Sequence, residues 1–119
     1  MAAKKDFFET ALQWITKRSI VSVQTESDGY EPPKAYTNKQ TGEEIRPDFS
    51  FLTHGSSKSF TEIALKSESP RNLVTRWKLL SLMASMNRGK LHLLTPRGHK
   101  QFTQKLVETH NINALIHSI

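Results

Sequence analysis

The sequence predicts an α/β fold in which helices flank a mixed β-sheet, and we expect residues 1–119 to form one domain. Three observations lead to this fold class. Residues 46–66 contain two runs in which apolar and polar side chains alternate, which is the period of a β-strand. Residues 3–17 and 69–89 repeat their apolar side chains every three or four positions, which is the period of a helix. A helix that joins two strands predicts a right-handed parallel crossover, so parallel and antiparallel pairs should occur together.

The first predicted element is a helix over residues 3–17. Its apolar stripe consists of Phe8, Ala11, Leu12 and Ile15 and is widened by Phe7 and Trp14. Glu9 lies at the edge of this stripe, which fits either a solvated glutamate or a functional one. Residues 19–24 are rich in β-branched side chains and are therefore predicted to form the first strand.

The central hairpin is the stretch on which the functional prediction depends. Its two strands are joined by a loop that contains glycine and serine, and we expect the turn to be centred near Ser56. That register places Asp48 opposite Ala64 and makes Glu62 and Lys66 the diagonal neighbours of Asp48 on the same face. A slip of one residue would move Asp48 to the other face, so this register is a specific expectation.

The polar segment before the hairpin is open to two interpretations. Residues 25–44 include Gly29, two consecutive prolines and Gly42, which interrupt regular structure. Residues 34–37 and 43–45 either pair as the far end of a longer hairpin or belong to a mobile loop above the site.

The second half of the chain is predicted to alternate helices and strands. Ser69 followed by Pro70 is a favourable helix start, and Gly89 is well placed to end that helix, with Trp77 in the core. A buried strand is expected over residues 90–95, and a helix should begin at Pro96 and extend to Glu108. Residues 113–119 are predicted to form the last strand.

The composition limits the classes of partner and compartment. A net charge of +6 and a pI near 9.8 favour a polyanionic partner such as nucleic acid. The chain has no cysteine, which excludes disulfides and thiolate metal sites. No stretch contains the roughly 20 apolar residues that a membrane span needs. We therefore expect a soluble, cytoplasmic protein that does not bind a membrane.

The order helix, three strands, helix, strand resembles the αβββαβ core of the PD-(D/E)XK nuclease superfamily, the restriction-endonuclease-like fold. The residues that carry the resemblance are Pro47 and Asp48 on one strand and Ala64, Leu65 and Lys66 on the next. The acidic residue of the (D/E)XK motif would stand at Ala64, so this motif is a variant. Glu62 or Glu68 is a candidate to replace that acid, and the resemblance adds Glu9 because some members use a glutamate from the first helix.

The resemblance implies a metal-dependent nuclease that hydrolyses phosphodiester bonds in DNA. Asp48 and Glu62 would bind Mg²⁺ or Mn²⁺, with Glu9 as a further carboxylate. Lys66 would orient the attacking water or stabilise charge on the phosphate. Two alternatives stay open: Asp48, Glu62 and Lys66 form ordinary cross-strand ion pairs, or the fold has lost catalysis and serves as a DNA-binding or protein-interaction module.

Cations outside the central hairpin are candidates for contacts to nucleic-acid phosphates. Arg71, Arg76 and Lys78 lie off the apolar stripe of the second helix, and Arg97 and Lys100 flank the start of the third. The resemblance is compatible with a monomer or with a homodimer that addresses both DNA strands. The five histidines show no metal-ligand spacing, and no phosphate-binding glycine loop is present.

Overall fold

A computed structural model describes residues 3–18 and 20–119 of the chain. A short 3-10 turn at Lys4–Phe7 leads directly into the first helix. The helices are α1 (Phe8–Thr16), α2 (Pro70–Met86) and α3 (Lys100–Thr109). The strands are β1 (Ile20–Thr25), β2 (Tyr36–Thr37), β3 (Glu44–Ile45), β4 (Phe49–Thr53), β5 (Lys58–Ile63), β6 (Leu91–Thr95) and β7 (Ala114–Ser118).

The main sheet has five strands in the order β1-β4-β5-β6-β7. The pairs β1/β4 and β4/β5 are antiparallel, whereas β5/β6 and β6/β7 are parallel. Helix α2 connects β5 to β6 and α3 connects β6 to β7, as parallel neighbours require. The predicted α/β class, with a mixed sheet flanked by helices, is therefore confirmed.

Each face of the sheet has its own buried cluster. On one face, Phe60, Leu91 and Leu93 pack with Trp77 of α2, which is fully buried as predicted. On the other face, the α1 residues Ala11 and Ile15 pack against a second cluster of sheet residues. That cluster comprises Phe49, Phe51, Ile63, Leu65 and Leu94. The side chains of β5 alternate between the two faces, so even-numbered residues such as Glu62 lie on the α2 side.

The predicted register of the central hairpin is wrong by two residues. Phe49 pairs with Thr61 and Ser50 pairs with Phe60, so Asp48 stands opposite Glu62 rather than Ala64. The turn closes earlier than expected because Gly55 and Ser56 have φ of +96° and +66°, and Thr53 N–H donates to Ser57 O at 3.0 Å. A shift of two residues keeps every side chain on its face, so Asp48 and Glu62 still share one surface.

Two predicted helix starts also differ from the structure. Lys4–Phe7, at the start of the predicted first helix, forms a 3-10 turn, and Ser19, the first residue of the predicted strand 19–24, lies outside the described residues. Helix α3 begins at Lys100 and not at Pro96, because Pro96–His99 forms a turn in which His99 N–H donates to Pro96 O at 3.0 Å. The segments 34–37 and 43–45 do pair, but as a separate two-stranded sheet, β2/β3. Within residues 3–18 and 20–119, every helix is too short or too polar to cross a lipid bilayer.

Candidate functional site

Two carboxylates, those of Asp48 and Glu62, lie side by side at one end of the sheet. Asp48 directly precedes β4, and Glu62 is the penultimate residue of β5. Each side chain binds the backbone of the neighbouring strand: Glu62 Oε2 accepts from Asp48 N–H at 2.7 Å, and Asp48 Oδ2 accepts from Ile63 N–H at 2.9 Å. These two bonds extend the contact between β4 and β5 beyond their last backbone pair. The sheet itself therefore fixes the position of both carboxylates.

Arg76 of α2 is the main partner of Glu62. Its Nε binds Glu62 Oε1, its Nη2 binds Glu62 Oε2 at 3.0 Å, and Nη2 also donates to the carbonyl oxygen of Arg46. Such a bidentate contact matches the planar guanidinium to the carboxylate. Glu62 is fully buried, so this partner provides charge that the interior otherwise lacks. Arg76 also approaches Asp48 Oδ1 at 3.8 Å.

Lys4, from the N-terminal 3-10 turn, brings a second cation to the carboxylates. Its Nζ lies 3.1 Å from Asp48 Oδ2 and 3.5 Å from Glu68 Oε1. The side chain of Lys4 is 22% exposed, and that of Asp48 is 10% exposed. The sequence prediction missed Lys4, because a lysine in a polar first turn carries no signal that it will reach a residue 44 positions away.

The pKa values of the two acids, Asp48 and Glu62, are shifted in opposite directions. Burial, reinforced by the neighbouring Glu62, raises the pKa of Asp48 to about 7. Burial also acts to raise the pKa of Glu62, but Lys4 and Arg76 outweigh it and hold that pKa below its ordinary value. For Lys4, burial acts to lower the pKa, and the attraction of Glu62 and Asp48 raises it instead. Glu62, Lys4 and Arg76 are therefore charged at neutral pH.

The structure does not bring the other two predicted catalytic residues into this cluster. Lys66 lies beyond the end of β5 and is exposed; its backbone N–H donates to His99 Nδ1 at 2.9 Å. Glu9 is exposed on α1. Among the contacts of the described residues, neither side chain forms a hydrogen bond or an ion pair with Asp48 or Glu62. Glu68, considered as a replacement acid, contacts Lys4.

The five cations predicted to contact nucleic acid fall into four places. Arg76 contacts the carboxylates of Glu62 and Asp48, and Arg71 is exposed in the first turn of α2. Arg97 and Lys100 line a cleft of about 400 Å³ between the β6–α3 loop and the end of β7. Lys78 lines a different cleft, together with Asn38, Gln40, Thr75, Leu79 and Leu82.

Of the two carboxylates, that of Asp48 has an oxygen that could bind a hard divalent cation, whereas both oxygens of Glu62 are bound by Arg76. Mg²⁺ is commonly held by one or two carboxylates, with waters and substrate phosphate completing its shell. Asp48 Oδ1 has only long contacts, 3.4 Å to Lys4 Nζ and 3.8 Å to Arg76 Nη2, and so retains acceptor capacity. In the part of the chain that the structure describes, no group of three or more His, Cys, Asp or Glu side chains is placed to hold a metal. A metal at this cluster would therefore have at most two carboxylate ligands.

Together the four side chains of Asp48, Glu62, Lys4 and Arg76 form a compact set of two acids and two bases, which we call the carboxylate cluster. It lies where β4 begins and β5 ends, beside the second turn of α2, which carries Arg76. Comparisons of the chain with protein-family models, with curated proteins and with solved structures found no significant match.

Proposed function

We propose that this chain is a metal-dependent, nuclease-like protein that hydrolyses phosphodiester bonds in DNA. The observation that carries the proposal is the alignment of Asp48 and Glu62 on adjacent antiparallel strands. With Glu62 opposite Asp48, the acid that the resemblance requires at Ala64 is supplied one pleat earlier. The strand order β1-β4-β5-β6-β7 with α2 between β5 and β6 supports a restriction-endonuclease-like core, αβββαβ, for the same chain.

In this proposal Asp48 and Glu62 hold Mg²⁺ or Mn²⁺. The bound ion would activate water and stabilise negative charge on the phosphate. Hydrolysis joins a water oxygen to phosphorus and breaks the bond to one sugar oxygen, which takes up a proton as it leaves. The protein supplies the position of the ligands: Ile63 N–H orients Asp48, and Arg76 together with Asp48 N–H orients Glu62.

A cleavage assay with matched isosteric variants tests this function. Wild type, Asp48→Asn and Glu62→Gln are incubated with supercoiled, linear and branched DNA in Mg²⁺ or Mn²⁺, with chelator as a control. We expect cleavage by the wild type only with metal, and a loss of at least about 100-fold in either variant, since each removes a charged ligand. Mn²⁺ binding by calorimetry should weaken in both variants. Cleavage that persists in both, or in chelator, would rule out this site as the catalytic centre.

A second candidate function is a DNA-binding module without hydrolysis. The observation that favours it is that Glu62 is inaccessible to solvent: its side chain is fully buried, and Arg76 binds both of its oxygens. In this case the carboxylate cluster is structural, and the positive charge of the chain serves binding alone. Calorimetry separates the two functions: salt-dependent DNA binding without Mn²⁺ binding at millimolar metal supports the module, and Mn²⁺ binding abolished by Glu62→Gln supports the nuclease.

A further inference from the structure

The outer side of α2 carries large apolar side chains that remain exposed to solvent. Trp77, Leu80 and Ala84 face the sheet and are fully buried, as expected for the inner side of the helix. On the outer side, Leu82 is 57% exposed and Met86 is 70% exposed. Single exposed apolar side chains are common on protein surfaces, but a contiguous patch of them marks an interaction site. The cleft beside α2 shows that Leu82 and Met86 belong to such a patch.

This patch is one wall of a groove between α2 and the two-stranded ribbon β2/β3, which we call the α2 groove. Its main part is a cleft of about 480 Å³, and residues 36–40 form the wall opposite the helix. A second cleft shares Leu79 and Leu82 with the first and continues the groove toward Thr75 and Lys78. Between Thr75 and Met86 the helix rises by about 16 Å, which is the length of three helical turns.

The wall that the ribbon provides is anchored to the core, so the groove is formed before any partner arrives. The Tyr36 ring stands edge-on to Phe60, with ring centroids 5.5 Å apart. Ile45 pairs with Tyr36 across the ribbon, is 3% exposed and belongs to the core cluster beneath α2. The turn of the ribbon is closed by Gly42 N–H, which donates to Asn38 O at 2.7 Å. A preformed groove avoids the entropic cost of ordering its walls on binding.

The α2 groove is positively charged along its length. Lys39 lines its main cleft and Lys78 lines the second one. At the Tyr36 end, the ammonium groups of Lys34 and Lys58 lie 5.8 Å and 5.9 Å from the centre of the aromatic ring. Among the described residues that line the two clefts, none is acidic. An apolar groove bordered by lysines is complementary to an apolar segment bordered by carboxylates.

A second copy of this chain would fit the α2 groove poorly. If two copies met at their grooves, Lys39 and Lys78 of one copy would face the same lysines of the other. Like charges brought together in an interface are unfavourable. The exposed acids of the ribbon, Glu43 and Glu44, line neither cleft. The groove therefore requires a different partner, one that supplies negative charge.

We propose that the α2 groove docks an acidic amphipathic helix of another protein. The apolar residues of the α2 wall recur at spacings of three, four and seven positions, which is the pattern of a seam between two helices: Leu79, Leu82, Met83 and Met86. Apolar side chains of the partner would fill this seam, and its Glu or Asp side chains would pair with Lys39 and Lys78. Methionine adapts to varied apolar shapes and is common in grooves that bind helices. None of these residues belongs to the carboxylate cluster, so the inference does not depend on the proposed function.

Fluorescence anisotropy with three labelled peptides tests the chemistry of the partner. Each peptide has about 20 residues, since much shorter helices are barely stable in water. The acidic peptide carries Leu at the two seam positions of every heptad and Glu at the flanking positions. The basic peptide has Lys in place of each Glu, and the polar peptide has Ser in place of each Leu. All three are titrated with the full chain.

Two double variants test the apolar wall of the groove. Leu82→Ser/Met86→Ser removes both exposed apolar side chains from α2. Val21→Ser/Leu115→Ser is the matched control, because Val21 is 60% exposed and Leu115 is 41% exposed on the two edge strands of the main sheet. All four positions are exposed, and the thermal midpoint of each variant verifies that it is folded.

A second pair of variants tests the charge of the groove. Lys39→Gln/Lys78→Gln removes the two lysines that line the clefts. Lys5→Gln/Lys105→Gln is the matched control, because both of its lysines are exposed elsewhere, in the N-terminal turn and on α3.

We expect the wild type to bind the acidic peptide at least about tenfold more tightly than the basic or the polar peptide. Leu82→Ser/Met86→Ser should weaken this binding by at least about tenfold, with its control within about twofold of wild type. Lys39→Gln/Lys78→Gln should weaken binding and reduce its dependence on salt, and its control should do neither.

Four results would overturn the inference. The wild type binds none of the peptides at millimolar concentration, or it binds the acidic and basic peptides equally. The acidic peptide binds Leu82→Ser/Met86→Ser as tightly as it binds the wild type. Sedimentation velocity shows a wild-type dimer that this variant abolishes, which would make a second copy the occupant. A short DNA duplex loses affinity for this same variant, which would make nucleic acid the occupant.

Discussion

At the scale of single residues, Glu62 depends most strongly on its partners, because it is a charged side chain that is fully buried. A carboxylate with no exposed surface keeps its charge only because Arg76 and Lys4 compensate for the lost water. Removing one member of a buried ion pair leaves the other charge unpaired, which is more costly than losing the pair as a whole. The stability of the fold and the integrity of the candidate site are therefore linked at this position.

We predict that Arg76→Met lowers the free energy of unfolding by about 3 kcal/mol, because it leaves Glu62 buried without its main partner. Urea denaturation at pH 7 followed by circular dichroism measures this change. Arg71→Met is the matched control: it removes the same group from an exposed position in the same helix and should change stability by less than about 0.5 kcal/mol. Equal effects of the two variants would show that the buried pair contributes little.

A second residue-scale prediction concerns two histidines on the opposite face of the sheet. His92 Nδ1 lies 3.0 Å from His117 Nε2, and both rings pack near Trp14, on which the Arg18 guanidinium stacks at 3.3 Å. Burial, with His117, Arg18 and Lys90, lowers the pKa of His92 to about 4. In the unfolded chain the pKa of His92 is 6.5. Between pH 6.5 and pH 4, His92 is therefore protonated in the unfolded chain but neutral in the folded protein.

The stability that neutral His92 provides is therefore present above pH 6.5 and is lost as the pH falls toward 4. We expect the free energy of unfolding to fall between pH 7 and pH 5 by about 1–2 kcal/mol more in wild type than in His92→Gln, a value reduced for partial solvent exposure. Urea denaturation at both pH values measures the difference. Contributions from Asp48 are common to both proteins and cancel. His110→Gln, at an exposed site, should follow the wild type, and a His92→Gln curve parallel to wild type would contradict the prediction.

At the scale of secondary-structure elements, the hairpin shows what a sequence pattern can and cannot determine. Alternation assigns faces, so the prediction that Asp48 and Glu62 share a surface survived a register error of two residues. The register itself depends on the turn, where Ser56 adopts a positive φ. This conformation is uncommon for serine and could not be predicted from the residue type. Likewise, the proline at Pro96 resembles a helix start, but Gly98, with φ of +90°, extends the turn and delays α3.

The end of α2 leads to a prediction about Gly89. The helix stops at Met86, and Arg88 rather than the glycine takes the left-handed conformation, with φ of +59°. Gly89 is needed for a different reason: a Cβ there would lie 1.8 Å from the carbonyl oxygen of Lys58 and 2.4 Å from its carbon. These are backbone atoms at the start of β5, so the clash cannot be relieved by a side-chain rotation.

We therefore predict that Gly89→Ala lowers the free energy of unfolding by about 3 kcal/mol, since the segment that follows α2 must move away from β5. Gly42→Ala is the comparison variant. Gly42 has φ of +74° but open space around it, so its substitution should cost only the left-handed strain of about 1 kcal/mol. Chemical denaturation of both variants checks the order. If Gly42→Ala is the more damaging change, the close approach of Gly89 to β5 does not limit stability.

At the scale of the whole molecule, the element order and the mixed sheet followed from periodicity, but the cations of the site did not. Arg76 was recognisable only as a residue off the apolar stripe of its helix, and the direction of its side chain depends on how α2 crosses the sheet. Lys4 reaches Asp48 through the packing of Phe8 on Phe49, a contact between distant parts of the chain. Side-chain partners across elements are tertiary properties, and the pattern of one element does not contain them.

The topology also brings part of the positive charge to the same edge of the sheet as the carboxylate cluster. Strands β5 and β6 are parallel, so their carboxyl ends meet, and Lys66 N–H binds His99 of the loop that follows β6. Arg97 lies in that loop, Lys100 follows it at the start of α3, and both line its cleft. Lys39 and Lys78 instead line clefts beside the β2/β3 turn and the outer side of α2. DNA held across the cluster would therefore meet the first pair of cations and not the second.

This arrangement predicts the salt dependence of DNA binding. The slope of log K against log salt concentration is negative, and each lost phosphate contact decreases its magnitude by about 0.9. The double variant Arg97→Gln/Lys100→Gln should therefore decrease the magnitude by nearly 2. Lys39→Gln/Lys78→Gln removes the same net charge and should leave the slope unchanged. Fluorescence anisotropy with a short duplex between 50 and 200 mM salt, a range in which about 10³–10⁵ of affinity is lost for six to ten contacts, measures both. An equal decrease of the slope in the two double variants would mean that net charge alone attracts DNA. A loss confined to the Lys39/Lys78 pair would place the DNA across the outer side of α2, away from Asp48 and Glu62.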